Sequence, residues 1–293
     1  MYKNMKINEI IDKVDRLPSI NKVGIRLINM LDNENTRLQD LSEVISSDPA
    51  LTTQLLKLCN SAYFGFSREI GNISEAIAKL GFKTIKSLTF LAVSHSVIND
   101  EFKGYSLHRG ELWTNSISCA VFSKYLAQKI DYPDIETAFV AGLLRDIGKL
   151  VLDEYVGADY RKILEKVNNE KLSFSQAEES LFGFDHGYIG AKLLEKWNFP
   201  SALIETVQYH HNFGKTVEEG CENLTLISIV HIADAFTMLT GSGLGSDGMM
   251  YYFNVEAFRQ LGLPETHEDI ENLLAEIVEL KLEVKKLKGM INA

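Results

Sequence analysis

The sequence is poor in residues that break or cross-link a chain. Five prolines and three cysteines occur in 293 residues. Cys59, Cys119 and Cys221 are far apart and odd in number, so neither a disulfide framework nor zinc-ribbon spacing is present. Cys59 and Cys119 sit among apolar neighbours, and all three are expected to be small core residues. Period-2 alternation is scarce, which argues against a sheet. No apolar run reaches bilayer length. The longest, Leu224 to Leu239, is interrupted by His231 and Asp234. Basic residues are in the minority, 30 Lys and Arg against 40 Asp and Glu, for a net charge of −10. A large nucleic-acid footprint is therefore not expected, nor attraction to an anionic membrane. Met1 to Arg16 mixes charges with Ile7, Ile10, Ile11 and Val14. That pattern is an amphipathic helix rather than a secretory leader, and the expected location is the cytoplasm.

What remains is helical periodicity, with hydrophobic residues at 45% of the chain to supply a core. Pro18, Pro49, Pro133, Pro200 and Pro264 each stand where a helix can start or stop. The expectation is an all-α protein of two packed helical subdomains, residues 1–104 and 105–264, followed by a C-terminal amphipathic helix over 265–293. Helices are expected around Leu27–Leu31 and Leu41–Ile45, after the cap and first-turn proline Asp48-Pro49, from Ile73 to Gly81, and from Phe82 to Ile98. Residues 99–106 mark the internal boundary. Later helices are expected through Trp113–Leu126, Ile163–Val167 and Leu224–Leu239, around His186, and after Pro200. Ser175-Gln176-Ala177-Glu178 fits a capping box, and Gly241 to Gly248 reads as a mobile loop.

Near the C-terminus, Ile270, Leu273, Ile277, Leu280, Val284, Leu287 and Ile291 alternate at spacings of three and four. That is a heptad seam, and it raises a homodimer through this helix. Leu274, Val278 and Leu282 widen the stripe and favour packing on the chain's own domain instead.

The stretch Ala141 to Leu150 reads as the middle of a buried helix, with Leu143, Leu144, Ile147 and Leu150 at helical spacing. Gly142 and Gly148 suggest close approach of another helix or a ligand. An acid as buried as Asp146 requires a partner. His186, the pair His210-His211, and Asp234 offer further ligand-type side chains on apolar helices. Imidazole and carboxylate together suit a transition metal such as Fe, Zn, Mn or Ni. Any one of these residues taken alone is more simply a satisfied core group. Asp185 is placed to cap the helix beginning at His186, and His231 to hydrogen-bond to Asp234 outside the site.

The segment Gly142-Leu143-Leu144-Arg145-Asp146-Ile147-Gly148-Lys149, followed by His186, His210-His211 and Asp234, resembles the HD superfamily of metal-dependent phosphohydrolases and its HD-GYP branch. Leu17-Pro18-Ser19-Ile20, Ser47-Asp48-Pro49-Ala50-Leu51, Asn60-Ser61-Ala62-Tyr63-Phe64-Gly65 and Ile73 to Gly81 narrow the resemblance to HDOD domains, as do His186 to Pro200 and Tyr209-His210-His211. The match runs from about residue 10 to residue 215. It implies an HD-like helical bundle in the second half and a bacterial signalling or regulatory role, in a family most of whose members are regarded as lacking hydrolase activity.

Two positions depart from the HD ligand set. Asn115 stands where the family pattern has its first His, and Arg145 where the His of the His-Asp doublet belongs. Asp146, His186, His210, His211 and Asp234 match the other metal-ligand positions. Arg145 offers no acceptor and would repel a neighbouring cation, so a two-metal hydrolytic centre is not expected. One metal on the histidines and an Asp remains open. Arg145 and Lys149 could read a phosphate without cleaving it, or simply neutralise buried acids. The reading is a non-catalytic regulatory protein that binds a signalling protein partner or a nucleotide-like ligand. The rival is a phosphohydrolase with an unusual mononuclear site.

Overall fold

Helix caps set the frame. In the computed structural model, which describes Leu27, Met30 and residues 36–292 apart from 62–63, 67, 217–218 and 243–253, the first half begins with α1 (Leu38–Ser46) and α2 (Pro49–Cys59). Asp48 caps α2, its side chain accepting from the amides of Ala50 and Leu51 at 3.0 Å, with Pro49 in the first turn. Asn60 then closes a loop by pairing with both backbone groups of Ile70, accepting at 2.6 Å and donating at 2.9 Å. Helices α3 (Ile73–Leu80) and α4 (Phe82–Ile98) follow. The cap of α3 is Asn72, one residue before the expected Ile73-Ser74 signal. A short 3₁₀ turn, Lys103–Tyr105, leads into the second half.

That half contains α5 (Glu111–Lys129), α6 (Ile135–Leu144), α7 (Lys149–Glu170), α8 (Phe174–Phe182), α9 (His186–Lys196), α10 (Ser201–Tyr209) and α11 (Leu224–Leu239). Shorter α12 (Val255–Gln260), α13 (His267–Glu279) and α14 (Lys281–Asn292) complete the chain. The protein is all-α. Among the described residues there is no strand, only an isolated bridge between Phe102 and Leu107, and no helix is long and apolar enough to cross a membrane. The expected helices at Met1–Arg16 and Leu27–Leu31, the Leu17–Ile20 motif and most of the Gly241–Gly248 loop lie outside the described residues.

Helices α5, α6 and α11 pack together at the centre of the second half, and α4 lies on α6. Ser87 of α4 donates to Glu136 at 2.5 Å, and Lys124 of α5 meets the same carboxylate at 2.9 Å.

Three expectations are corrected. Ala141 to Leu150 is not one helix. It ends at Leu144 and restarts at Lys149, with i to i−3 hydrogen bonds from Ile147 to Leu144 (2.9 Å) and from Lys149 to Asp146 (3.0 Å) tightening the turn between them. Arg145 and Gly148 both keep right-handed dihedrals, so the break uses no left-handed residue. The capping box of α8 is Ser173 with Gln176, two residues earlier than Ser175 with Glu178, which frees Glu178 for another role. The C-terminal seam is also interrupted, turning at Leu280 between α13 and α14. Leu273, Ile277, Val284 and Leu287 are buried within the chain, while Val278 and Leu282 stay exposed.

Candidate metal centre

The turn between α6 and α7 holds Arg145 and Asp146, and close backbone contact fixes it. A Cβ on Gly142 would lie 2.5 Å from the Ser123 hydroxyl and 2.8 Å from the Cys119 carbonyl. One on Gly148 would meet the His186 carbonyl at 1.9 Å. The two glycines thus let α5 approach from one side and the start of α9 from the other, as their small size suggested. Asp185 caps α9, accepting from the Tyr188 amide at 2.8 Å and from Ser175 at 2.5 Å. His210 and His211 follow the end of α10. His210 Nδ1 donates to the Val207 carbonyl at 2.7 Å, which leaves Nε2 directed away from its own helix.

These elements bring Asp146, His186, His210 and His211 together, with one ligand atom from each lying within 4.8 Å of all the others. His186 Nε2 is 2.9 Å from His211 Nε2 and 3.3 Å from Asp146 Oδ1, and His210 Nε2 is 3.8 Å from the same oxygen. Donors around a tetrahedral ion at about 2.0–2.1 Å stand about 3.3 Å apart, within that range. Neither oxygen of Asp146 nor Nε2 of His210 makes an aligned hydrogen bond, although cations lie close by. Buried, geometrically unsatisfied donors of this type fit a metal ion, with Asp146 and the three imidazoles as its ligands.

Asp234 stands apart from that group. Its Oδ1 receives the Arg145 Nε at 2.5 Å, and its Oδ2 is 3.6 Å from His211 Nδ1. The rest of the Arg145 guanidinium meets Asp146 Oδ2 at 3.1 Å, the Gly142 carbonyl at 3.1 Å, and the side-chain oxygen of Asn115. Asn115 and Arg145 therefore bond to each other, and Arg145 lies between the two aspartates. Lys149 Nζ lies 2.8 Å from Asp146 Oδ1 and 5.5 Å from the centre of the Tyr105 ring. Both basic groups are engaged with acids.

Burial opposes charge on Asp146, but Arg145 and Lys149, with His186 and His210, hold its carboxyl well below the usual range. Burial also disfavours a charged His186, and Lys149 adds to that, but Glu178 together with Asp146 pushes the imidazole up to about 10. Burial, with His210 and His186 alongside, keeps His211 well below the usual histidine value. Arg145, Asp146, Lys149, His186, His210 and Asp234 each expose 2% of their surface or less. His211 alone retains appreciable access, at 13% for its side chain.

The sequence reading missed two neighbours. Glu178 is fully buried and accepts from His186 twice, at 3.0 Å from the backbone amide and 2.7 Å from Nδ1. Tyr105 donates to its other oxygen at 2.6 Å. Its apparent fit to a capping box with Ser175 is what concealed Glu178 in the sequence, since a cap residue is expected at the surface. His231 lies outside the four-ligand group as expected, but it donates to the His210 carbonyl at 2.6 Å rather than to Asp234.

A model of the HDOD domain matches residues 17–213. The chain belongs to the HDOD family. An uncharacterized protein of Treponema pallidum (strain Nichols) is 28% identical over 214 residues, 72% of this chain and 40% of its own length. The chain spans less than half the length of the curated relatives it matches. Two crystal structures share the fold. A HDOD domain protein of unknown function from Geobacter sulfurreducens has a TM-score of 0.69 and 24% identity, covering 98% of this chain and 96% of its own. A candidate phosphohydrolase from Shewanella amazonensis SB2B has a TM-score of 0.70 and 24% identity, covering 96% and 97%.

Proposed function

We propose that this HDOD protein is a non-catalytic regulatory component acting in the cytoplasm, which binds a signalling protein or a nucleotide-like ligand. The observation that carries the reading is the seat of Arg145. A permanent cation lies between Asp146 and Asp234, bonded to Asn115, where a hydrolytic centre would need ligands for a second metal. The depth of the cluster points the same way. Phosphate cleavage requires the scissile group to reach the ligands, and only His211 has an appreciable opening to solvent. The cluster is better suited to holding a single transition-metal ion, with a structural or regulatory role, on Asp146, His186, His210 and His211.

Purified protein supplied with Mn²⁺, Fe²⁺ or Zn²⁺ is expected to take up at most one ion per chain and to leave cyclic dinucleotides and nucleotides intact. Hydrolysis that disappears in His210→Ala would overturn the reading. It would favour the rival, a mononuclear phosphohydrolase, for which the four-ligand group is the supporting observation. A homodimer through α13 and α14 would have little use of Leu273, Ile277, Val284 and Leu287, which are already buried within the chain, and would draw on the exposed Val278 and Leu282.

A further inference from the structure

The turn that joins the two halves of the protein reaches the candidate metal centre through two buried side chains. Its backbone is closely constrained. Phe102 and Leu107 exchange hydrogen bonds at 2.9 and 3.0 Å, Ser106 is left-handed at φ 55°, and the Gly104 amide donates to Asp153 of α7 at 2.8 Å. A Cβ on Gly104 would lie 2.1 Å from the Asp153 carbonyl, so the turn is pressed against α7 as closely as backbone allows. The next residue, Tyr105, is fully buried. Its hydroxyl donates to Glu178 Oε1 at 2.6 Å, and Glu178 Oε2 accepts a hydrogen bond from His186 Nδ1 at 2.7 Å. The opposite nitrogen, Nε2, faces Asp146 and His211.

We propose that Glu178 and Tyr105 are positioning residues that fix His186 with Nδ1–H toward Glu178 and Nε2 toward the pocket, so that ion binding and the order of the 102–107 turn are coupled. Part of this rests on the metal reading above, but the orientation of His186 does not. A carboxylate behind a ligating imidazole sets which ring nitrogen is free and raises its basicity, and losing such a partner weakens metal binding by about 10–100-fold. Tyr105 extends that arrangement by one bond and anchors it outside the second-half bundle. The geometry assigns the turn two tasks: it links α4 to α5, and it holds the far end of the hydrogen-bond chain that aims His186.

The experiment compares wild type, Glu178→Gln, Tyr105→Phe and His210→Ala by calorimetric titration with Zn²⁺. It adds long-range ¹H–¹⁵N spectra of the His186 ring in the metal-free protein and amide exchange at residues 102–107 with and without Zn²⁺. The expected result is a loss of about 10–100-fold in Zn²⁺ affinity for Glu178→Gln, a smaller loss for Tyr105→Phe, and none bound by His210→Ala. Zn²⁺ should slow exchange at the turn in wild type but not in Tyr105→Phe. The protected His186 Nδ1–H signal should vanish in Glu178→Gln and broaden in Tyr105→Phe. Were wild type to ignore Zn²⁺, the metal reading would fall, and the ring spectra alone would then decide the positioning role. An Nδ1–H signal unchanged in both variants overturns the proposal, as does wild-type Zn²⁺ affinity in both.

Discussion

Replacing Arg145 with Met tests the central reading most directly. The unbranched stem is kept as far as the position of Nε, but the charge and all the donors are lost. In the folded protein the guanidinium contacts Asp234, Asp146, Asn115 and the Gly142 carbonyl, and is fully buried. Met would leave Asp234 without its 2.5 Å partner and Asp146 with Lys149 as its remaining close fixed cation. Removing one member of a buried ion pair costs roughly 3–5 kcal/mol, because the other charge stays behind without compensation. At about 2–4 °C per kcal/mol for large domains, the melting temperature should fall by roughly 6 °C or more. Arg145→Lys should fall between the two, since it keeps the charge but not the planar fork. Added Zn²⁺ or Mn²⁺ should restore part of the loss in Arg145→Met, by about 2.7 kcal/mol at a free concentration one hundred times the dissociation constant. The assay is calorimetric or fluorescence-monitored melting, with and without metal. An Arg145→Met protein that melts with wild type would refute the claim that this cation neutralises the two aspartates.

Three further outcomes follow from the packing. Gly148→Ala would drive a methyl to within 1.9 Å of the His186 carbonyl and 2.6 Å of the Gly190 amide nitrogen, both backbone atoms. It should lower the urea midpoint by at least the roughly 1–3 kcal/mol of an overpacked core. Asn60→Ala strips both hydrogen bonds from buried Ile70 and should cost about 1–3 kcal/mol by chemical denaturation; Asn60→Asp, which keeps the acceptor, should cost less. Burial pushes the thiols of Cys59 and Cys119 up to about 12, so a thiol reagent at pH 8 should leave both untouched in the native state and label the half-buried Cys221 alone.

Much of the architecture could be read from local chemistry. Asp48-Pro49 and Asp185 cap their helices as expected, because a short acceptor side chain before an apolar run has few other roles. The four ligand-type residues were identifiable by their chemistry, and the structure brings Asp146, His186, His210 and His211 together. Their convergence was not legible, since spacing along a chain does not report how helices cross. The break after Leu144 left no mark either. It is made by i to i−3 hydrogen bonds, with right-handed dihedrals at Arg145 and Gly148, and Ile147 keeps the apolar periodicity across it. Glu178 was hidden by an ambiguity of register, two capping patterns offset by two residues, which only the fold resolves. In the same way, the heptad seam is continuous in sequence but is divided at Leu280, where packing against the chain's own helices takes precedence over a straight rod.

The position of α14 bears on how the chain folds. It packs on both α2 and α5, and Lys288 reaches the Thr114 hydroxyl at 2.6 Å. More than two hundred residues separate α2 from α14. The entropy of closing so long a loop grows only logarithmically, each doubling adding about 0.6 kcal/mol, so the contact is thermodynamically tolerable. Its kinetics are less favourable, since contacts distant in sequence form late. A ribosome making this protein releases α2 well before α14 exists, so this one contact of α2 stays open during most of translation. Chaperone demand should therefore peak in that interval, and synonymous changes that slow decoding between the two helices should lower the soluble yield.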